Sequence, residues 1–273
     1  MKSKNISTRS GTLLQHFLQR DRDHFLYQEA FEALPGSQPG AVRQLLSDMT
    51  KRGLLMRPME GKYWIIPYDR DPDTYMPDWP VMASFLASGK PNYCGYYSAL
   101  QLHNLTTQPS HRQQLVVARQ MTPSQFQVQG ATFQFIYHNP NHYFGSEPIW
   151  VSGYHKVECS DLEKTFVDCL FQPQYAFGIS EVSKALFFAR NKLNFERLLE
   201  YVKRFGSQAV IKRLGFLLDL LEIRTPIVDQ LFAIKTKSFV LLDPVMPAEG
   251  RMVSRWNVRV NTDTETLVSG IYS

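Results

Sequence analysis

The chain has 273 residues, of which 44% are hydrophobic and 13% aromatic, enough to bury a core in one large domain or two to three modest ones. No apolar run approaches the roughly 18 residues of a membrane-spanning helix, and no secretory core follows the N-terminus, so no membrane partner and a cytoplasmic location are expected. The net charge of +5 is uneven: residues 1–67 carry 10 Lys and Arg against 6 Asp and Glu, whereas residues 68–273 carry 20 against 19.

In chain order, residues 11–20 read as an amphipathic helix with Leu13, Leu14, Phe17 and Leu18 inward. Residues 27–34 read as a second helix, ended by Pro35-Gly36. Ser37 is placed to cap a third, whose first turn tolerates Pro39. Val42, Leu45, Leu46 and Met49 then recur at helical spacing, while Gln38, Arg43, Gln44, Ser47 and Lys51 fall on the opposite face. Gly53 closes the helix, and two β-type runs, 54–57 and 63–66, follow around Pro58-Met59-Glu60-Gly61-Lys62. Helix, stop and hairpin spell a winged helix-turn-helix over residues 8–67. Its third helix would read duplex DNA through those five polar side chains, with Arg57 and Lys62 on the wing. Excess positive charge in this segment suits phosphate binding.

Residues 67–80 hold four prolines and four aspartates, a boundary that marks 68–80 as a linker. Residues 81–273 are expected to form a mixed α/β domain with a helical C-terminal portion, making the whole chain α+β. Residues 82–88 and 96–103 look helical, 115–118 is a short apolar strand, and 126–129 and 132–137 alternate around Gly130-Ala131 as a hairpin. Residues 149–152 add another strand, and Ser160 with Glu163 three positions on suggests a capping box for 161–170. Residues 179–189, 195–205 and 207–221 read as helices. Arg190, Lys192, Arg197, Lys203, Arg204, Lys212 and Arg213 look like their solvated faces. After Pro226 the chain reads as β-like, at 238–242 and 256–260.

Several of these stretches together resemble the AbiEi family, the antitoxins of type IV toxin–antitoxin systems in abortive-infection operons. Arg52-Gly53-Leu54-Leu55-Met56-Arg57 with Gly61-Lys62-Tyr63 is similar to the end of that family's winged-helix domain. Tyr97-Ser98-Ala99-Leu100-Gln101-Leu102-His103-Asn104-Leu105-Thr106 resembles the helix opening its second domain. Glu163-Lys164-Thr165-Phe166-Val167-Asp168, then Leu242-Asp243-Pro244 and Arg255-Trp256-Asn257-Val258-Arg259-Val260-Asn261, resemble later blocks in family order. The resemblance implies a repressor of its own operon. Its expected target is double-stranded promoter DNA with inverted repeats, because two copies of a small, modestly charged domain on adjacent half-sites gain effective concentration, with self-association either before or on that DNA. It also implies that residues 81–273 counteract a nucleotidyltransferase-like toxin without stably binding it.

An enzyme would have to be built from sparser signals. Gly145-Ser146 with Asp161 and Glu163 evokes a magnesium-dependent nucleotidyltransferase, but on a helix start the two carboxylates would diverge. No nucleophile elbow, Walker loop or dinucleotide fingerprint occurs, and Cys94 near His103 lacks an orienting third group. Three cysteines (Cys94, Cys159, Cys169) and scattered histidines offer neither a disulfide framework nor metal-ligand spacing. No catalytic residue, cofactor or metal is therefore expected. Two alternatives stay open. One is a winged-helix transcription factor sensing a ligand through Tyr93, Tyr96, Tyr97, Phe133 and Phe135; the other is a metal-dependent nucleotidyltransferase or nuclease built from dispersed carboxylates.

Overall fold

Apolar residues at helical spacing near the N-terminus fold against a small sheet. The computed structural model describes residues 4–106 and 108–269, so the last four positions of the expected second domain lie outside the described residues. The fold is α+β. It divides into a first unit that reaches Leu86 and takes in Ser152–Tyr154, and a second from Ala87 to Val151 and from His155 onward.

In the first unit α1 (Thr8–Leu18) is capped by Ser7, whose side chain accepts from the Ser10 N–H. Leu13 and Phe17 are buried, but Leu18, expected inward, is 51% exposed, because it lies about 100° round the helix from Phe17. β1 (His24–Leu26) was not legible as a strand. It leads directly into α2 (Tyr27–Glu32), whose Glu29 carboxylate accepts the Leu26 N–H at 2.7 Å. α3 (Pro39–Lys51) begins one residue later than Ser37 suggested: Gln38 is the cap residue and Pro39 the first helical one. Val42, Leu46 and Met49 are buried, while Leu45 is only partly so.

β2 (Leu55–Met59) and β3 (Lys62–Ile65) complete an antiparallel sheet of order β1-β3-β2, with Phe25 opposite Tyr63. Phe17 stacks on Phe25 at 4.4 Å between ring centroids, within a core that includes Leu13, Ala30, Val42, Leu46, Leu54 and Ile65. Residues 68–76 are mostly exposed, but Pro72 is buried. Gly53, at φ +74°, leaves room for Pro72, whose Cγ would lie 2.3 Å from a β-carbon at position 53. α4 (Trp79–Leu86) also belongs to this unit, so the division falls after it and not at residue 80.

The second unit is organised on a six-stranded mixed sheet of order β6-β7-β5-β4-β9-β8. Its strands are β4 (Asn92–Cys94), β5 (Arg112–Val117), β6 (Gln125–Val128), β7 (Ala131–Tyr137), β8 (Ser146–Trp150) and β9 (Lys156–Ser160). The β6–β7 hairpin is present as expected but turns at Gln129-Gly130, both at positive φ, one residue before the expected Gly130-Ala131, and Ala131 opens β7 opposite Val128. Helices α5 (Tyr96–Leu102), α6 (Leu162–Phe171), α7 (Ile179–Ala189), α8 (Phe195–Phe205) and α9 (Gln208–Leu220) match the expected helical stretches. α6 is capped by Asp161 and not Ser160; Ser160 ends β9 and its hydroxyl bonds Thr165 at 2.7 Å. After Pro226 the chain forms α10 (Ile227–Ile234) before its strands, because Ile227 and Leu231 supply a one-turn apolar repeat that buries. A small sheet of β10 (Val240–Leu241), β12 (Val258–Val260) and β11 (Arg251–Val253), in that order, and α11 (Thr264–Ser269) complete the unit. Among the described residues no helix is long and apolar enough to cross a membrane.

Candidate nucleic-acid interface

The exposed face of α3 and the β2–β3 hairpin enclose a cleft of about 390 Å³, lined by Tyr27, Arg43, Ser47, Thr50, Lys51, Arg57, Glu60, Gly61 and Tyr63. Burial of Val42, Leu46 and Met49 on one side of α3 turns Arg43, Ser47 and Lys51 outward. Arg57 reaches the same space from β2 and faces Glu60 across the turn at 4.0 Å. Three cations therefore converge against one carboxylate whose side chain is 95% exposed. Such a surface attracts an anionic backbone, and its Arg and Ser groups can bond base edges.

Four of the seven residues expected at the interface thus meet in one cleft; Gln38, Gln44 and Lys62 do not line it. Gln38 stands exposed at the N-cap of α3. Gln44 is exposed on α3, with its amide nitrogen donating to Asp48 Oδ1 at 3.0 Å.

Lys62 departs from expectation. It opens the return strand instead of capping the hairpin tip, and its ammonium donates to the carbonyls of Phe85 (2.6 Å) and Leu86 (3.0 Å) at the end of α4. The charge also lies 5.1 Å from the Phe85 ring centroid, and burial lowers its pKa to about 8. A lysine at a helix C-terminus meets the orphaned carbonyls and the negative end of the dipole, which explains the diversion.

Sequence reasoning missed Tyr27, Thr50 and Tyr63 in the cleft. In the sequence Tyr27 reads only as the start of a second helix, and strand β1, not foreseen there, brings it beside the hairpin. Its N–H donates to Gly61 O at 2.8 Å.

In the second unit the two carboxylates considered for metal chemistry have other duties. Asp161 accepts the Lys164 N–H at 2.8 Å and the Tyr201 hydroxyl at 2.7 Å. Glu163 accepts the Asn194 N–H at 2.8 Å and lies 3.5 Å from Arg197. Among the described residues no group of three or more His, Cys, Asp or Glu is placed to hold a metal ion. His103 bonds the Ser160 carbonyl at 2.8 Å, and all three cysteines are buried and unbridged, with burial pushing the Cys169 thiol well up.

Lys164, fully buried, pairs with Asp168 and donates to the Tyr93 hydroxyl at 3.0 Å. Tyr93 in turn donates to Asp168 at 3.0 Å, and His138 lies 3.8 Å from the same carboxylate. Burial pulls the Lys164 and His138 pKa values down while Asp168 opposes it, the balance of a satisfied internal ion cluster. Tyr93, Tyr96, Tyr97, Phe133 and Phe135 are all core residues. Lys212 and Arg213, expected on solvated helix faces, point inward. Lys212 binds Thr236 and Ser238, and Arg213 binds the carbonyls of Leu170, Phe171 and Leu241, which joins α9 to α6 and β10.

No family model and no curated protein sequence matches this chain. Among solved structures it is similar to the Rv2827c protein from Mycobacterium tuberculosis, with a TM-score of 0.73 at 15% identity, over 100% of this chain and 97% of that one. At that identity the likeness speaks for the fold alone.

Proposed function

We propose that the first unit is a winged-helix DNA-binding domain and that the protein represses its own operon. The observation carrying this reading is the cleft where Arg43, Ser47 and Lys51 of α3 meet Arg57 of the hairpin. Element order supports it: helix, strand, helix, helix and hairpin, with β3 central in the sheet, is the arrangement in which a third helix enters the major groove and a wing flanks it. The cations position the domain on phosphates, and Arg43 with Ser47 reads bases. One such domain binds one half-site weakly, so two copies on inverted half-sites gain occupancy through effective concentration. Footprinting of the full chain on the DNA upstream of its gene is expected to reveal two protected half-sites in inverted orientation. A single unpaired footprint rejects the arrangement.

The second unit is proposed to counteract a nucleotidyltransferase-like toxin without a stable complex, in the cytoplasm. The ordered sequence blocks that resemble the AbiEi family support this part, and Trp256 of the last block is a core residue. Co-expression of the full chain with the product of a neighbouring nucleotidyltransferase-like gene is expected to restore growth, while the two proteins separate on size exclusion. No rescue at matched expression removes this half of the proposal.

A further inference from the structure

We infer that Tyr27, which lies outside the reading helix, is a specificity-determining positioning residue that sets Arg43 against the hairpin. This inference rests on the DNA-binding reading of the same cleft. Tyr27 contacts α3, Arg43 and the hairpin turn. Its main-chain N–H donates to Gly61 O in the hairpin turn at 2.8 Å. Its hydroxyl donates to the carbonyl of Pro39, the first residue of α3, at 3.2 Å. Its ring lies beneath the Arg43 guanidinium, 5.5 Å from Cζ to the ring centroid.

A guanidinium lying against an aromatic face keeps its N–H donors in the plane pointing outward, the geometry needed for a bidentate bond to a guanine edge. The ring also removes side-chain freedom before DNA arrives, which lowers the ordering cost at binding. Lys51 and Arg57 attract phosphate from their own positions in the cleft and have no need of the ring. Loss of the ring should therefore lower discrimination between sequences and spare general affinity for duplex DNA. Loss of the hydroxyl alone should do neither, because its 3.2 Å bond to Pro39 is exposed and the main-chain bond to Gly61 and the ring under Arg43 both remain.

The test uses the full chain and a preferred duplex selected from a random pool, with a scrambled duplex of equal length at the same salt. Tyr27→Leu is expected to lower the preferred-to-scrambled affinity ratio roughly ten-fold, the scale of one bidentate base contact, and to leave scrambled binding within about two-fold. Tyr27→Phe should keep the wild-type ratio. In an Arg43→Ala background, Tyr27→Leu should change the ratio no further, since the two residues act as one unit. The inference is overturned if Tyr27→Leu keeps the wild-type ratio, or weakens both duplexes in parallel. It is overturned equally if Tyr27→Phe behaves like Leu, or if the Leu effect persists without Arg43. A wild-type chain that binds duplex but enriches no sequence would overturn this role alone, and one that binds no duplex at low salt would overturn the DNA-binding reading with it.

Discussion

The indole of Trp256 lies so close against Gly215 that a β-carbon at position 215 would stand 2.2 Å from Cζ3. One turn on along α9, Asp219 accepts the Trp256 Nε1–H at 2.6 Å, so the indole is fixed by both shape and hydrogen bond. Trp256 is 1% exposed, and Trp256→Ala should destabilise the second unit by about 3–5 kcal/mol in chemical denaturation. Gly215→Ala adds helix propensity of about 1 kcal/mol but forces overpacking of about 1–3 kcal/mol. It should therefore melt below wild type; a higher melting temperature would show that the indole has room to move.

Lys62 should titrate in the measured stability. Its folded pKa of about 8 lies below the value of about 10.4 for an unfolded chain, so between these values the unfolded state holds more protons. Stability must then rise with pH across that window, and below about pH 8 the full desolvation penalty of the charged ammonium is present. The melting-temperature difference between wild type and Lys62→Met, followed from pH 7.5 to 10, should shift progressively in favour of wild type. A constant difference would place the ammonium in solvent.

The same lysine offers a way to separate structural cations from those proposed to bind DNA. Each phosphate contact contributes about 0.9 to the slope of log affinity against log salt. Arg57→Ala should reduce that slope by about one. Lys62→Ala should leave it unchanged, because its charge is spent on the carbonyls of Phe85 and Leu86. Equal slope changes for both would put Lys62 on the DNA.

Asp161 should matter for folding and not for the proposed protection against a nucleotidyltransferase-like toxin. Asp161→Ala removes the cap of α6 and the Tyr201 bond, and a lost cap costs about 0.5–2 kcal/mol. Growth rescue in co-expression should match wild type once protein levels are equalised, for Asp161→Ala and Glu163→Ala alike. Loss of rescue at equal abundance would give those carboxylates a direct role.

Helical spacing in the sequence revealed α3 and the α7–α9 series because long apolar periodicities survive local noise. β1 was illegible because three residues show no alternation, and its partner β3 lies nearly forty positions away. That single omission hid Tyr27 from the site. Lys62 misled for a different reason. A lysine beside a turn usually meets water, and the carbonyls that capture it come from the end of α4, a helix legible at 82–88 but assigned to the second domain and so not expected beside the hairpin. Lys212 and Arg213 were buried against the same expectation. Their hydrogen-bond acceptors come from residues 170–171 and 236–241, a convergence that no local window contains.

The central claim is that the cleft between α3 and the hairpin binds duplex DNA. Its most direct test is a salt titration of the full chain on the duplex upstream of its own gene, alongside the triple variant Arg43→Ala, Lys51→Ala, Arg57→Ala. Wild type should bind at low salt with a steep salt dependence and a preference over scrambled duplex, and the triple variant should lose both while retaining the wild-type fold by circular dichroism. Undiminished binding by the folded triple variant, or no binding by wild type at low salt, would contradict the account.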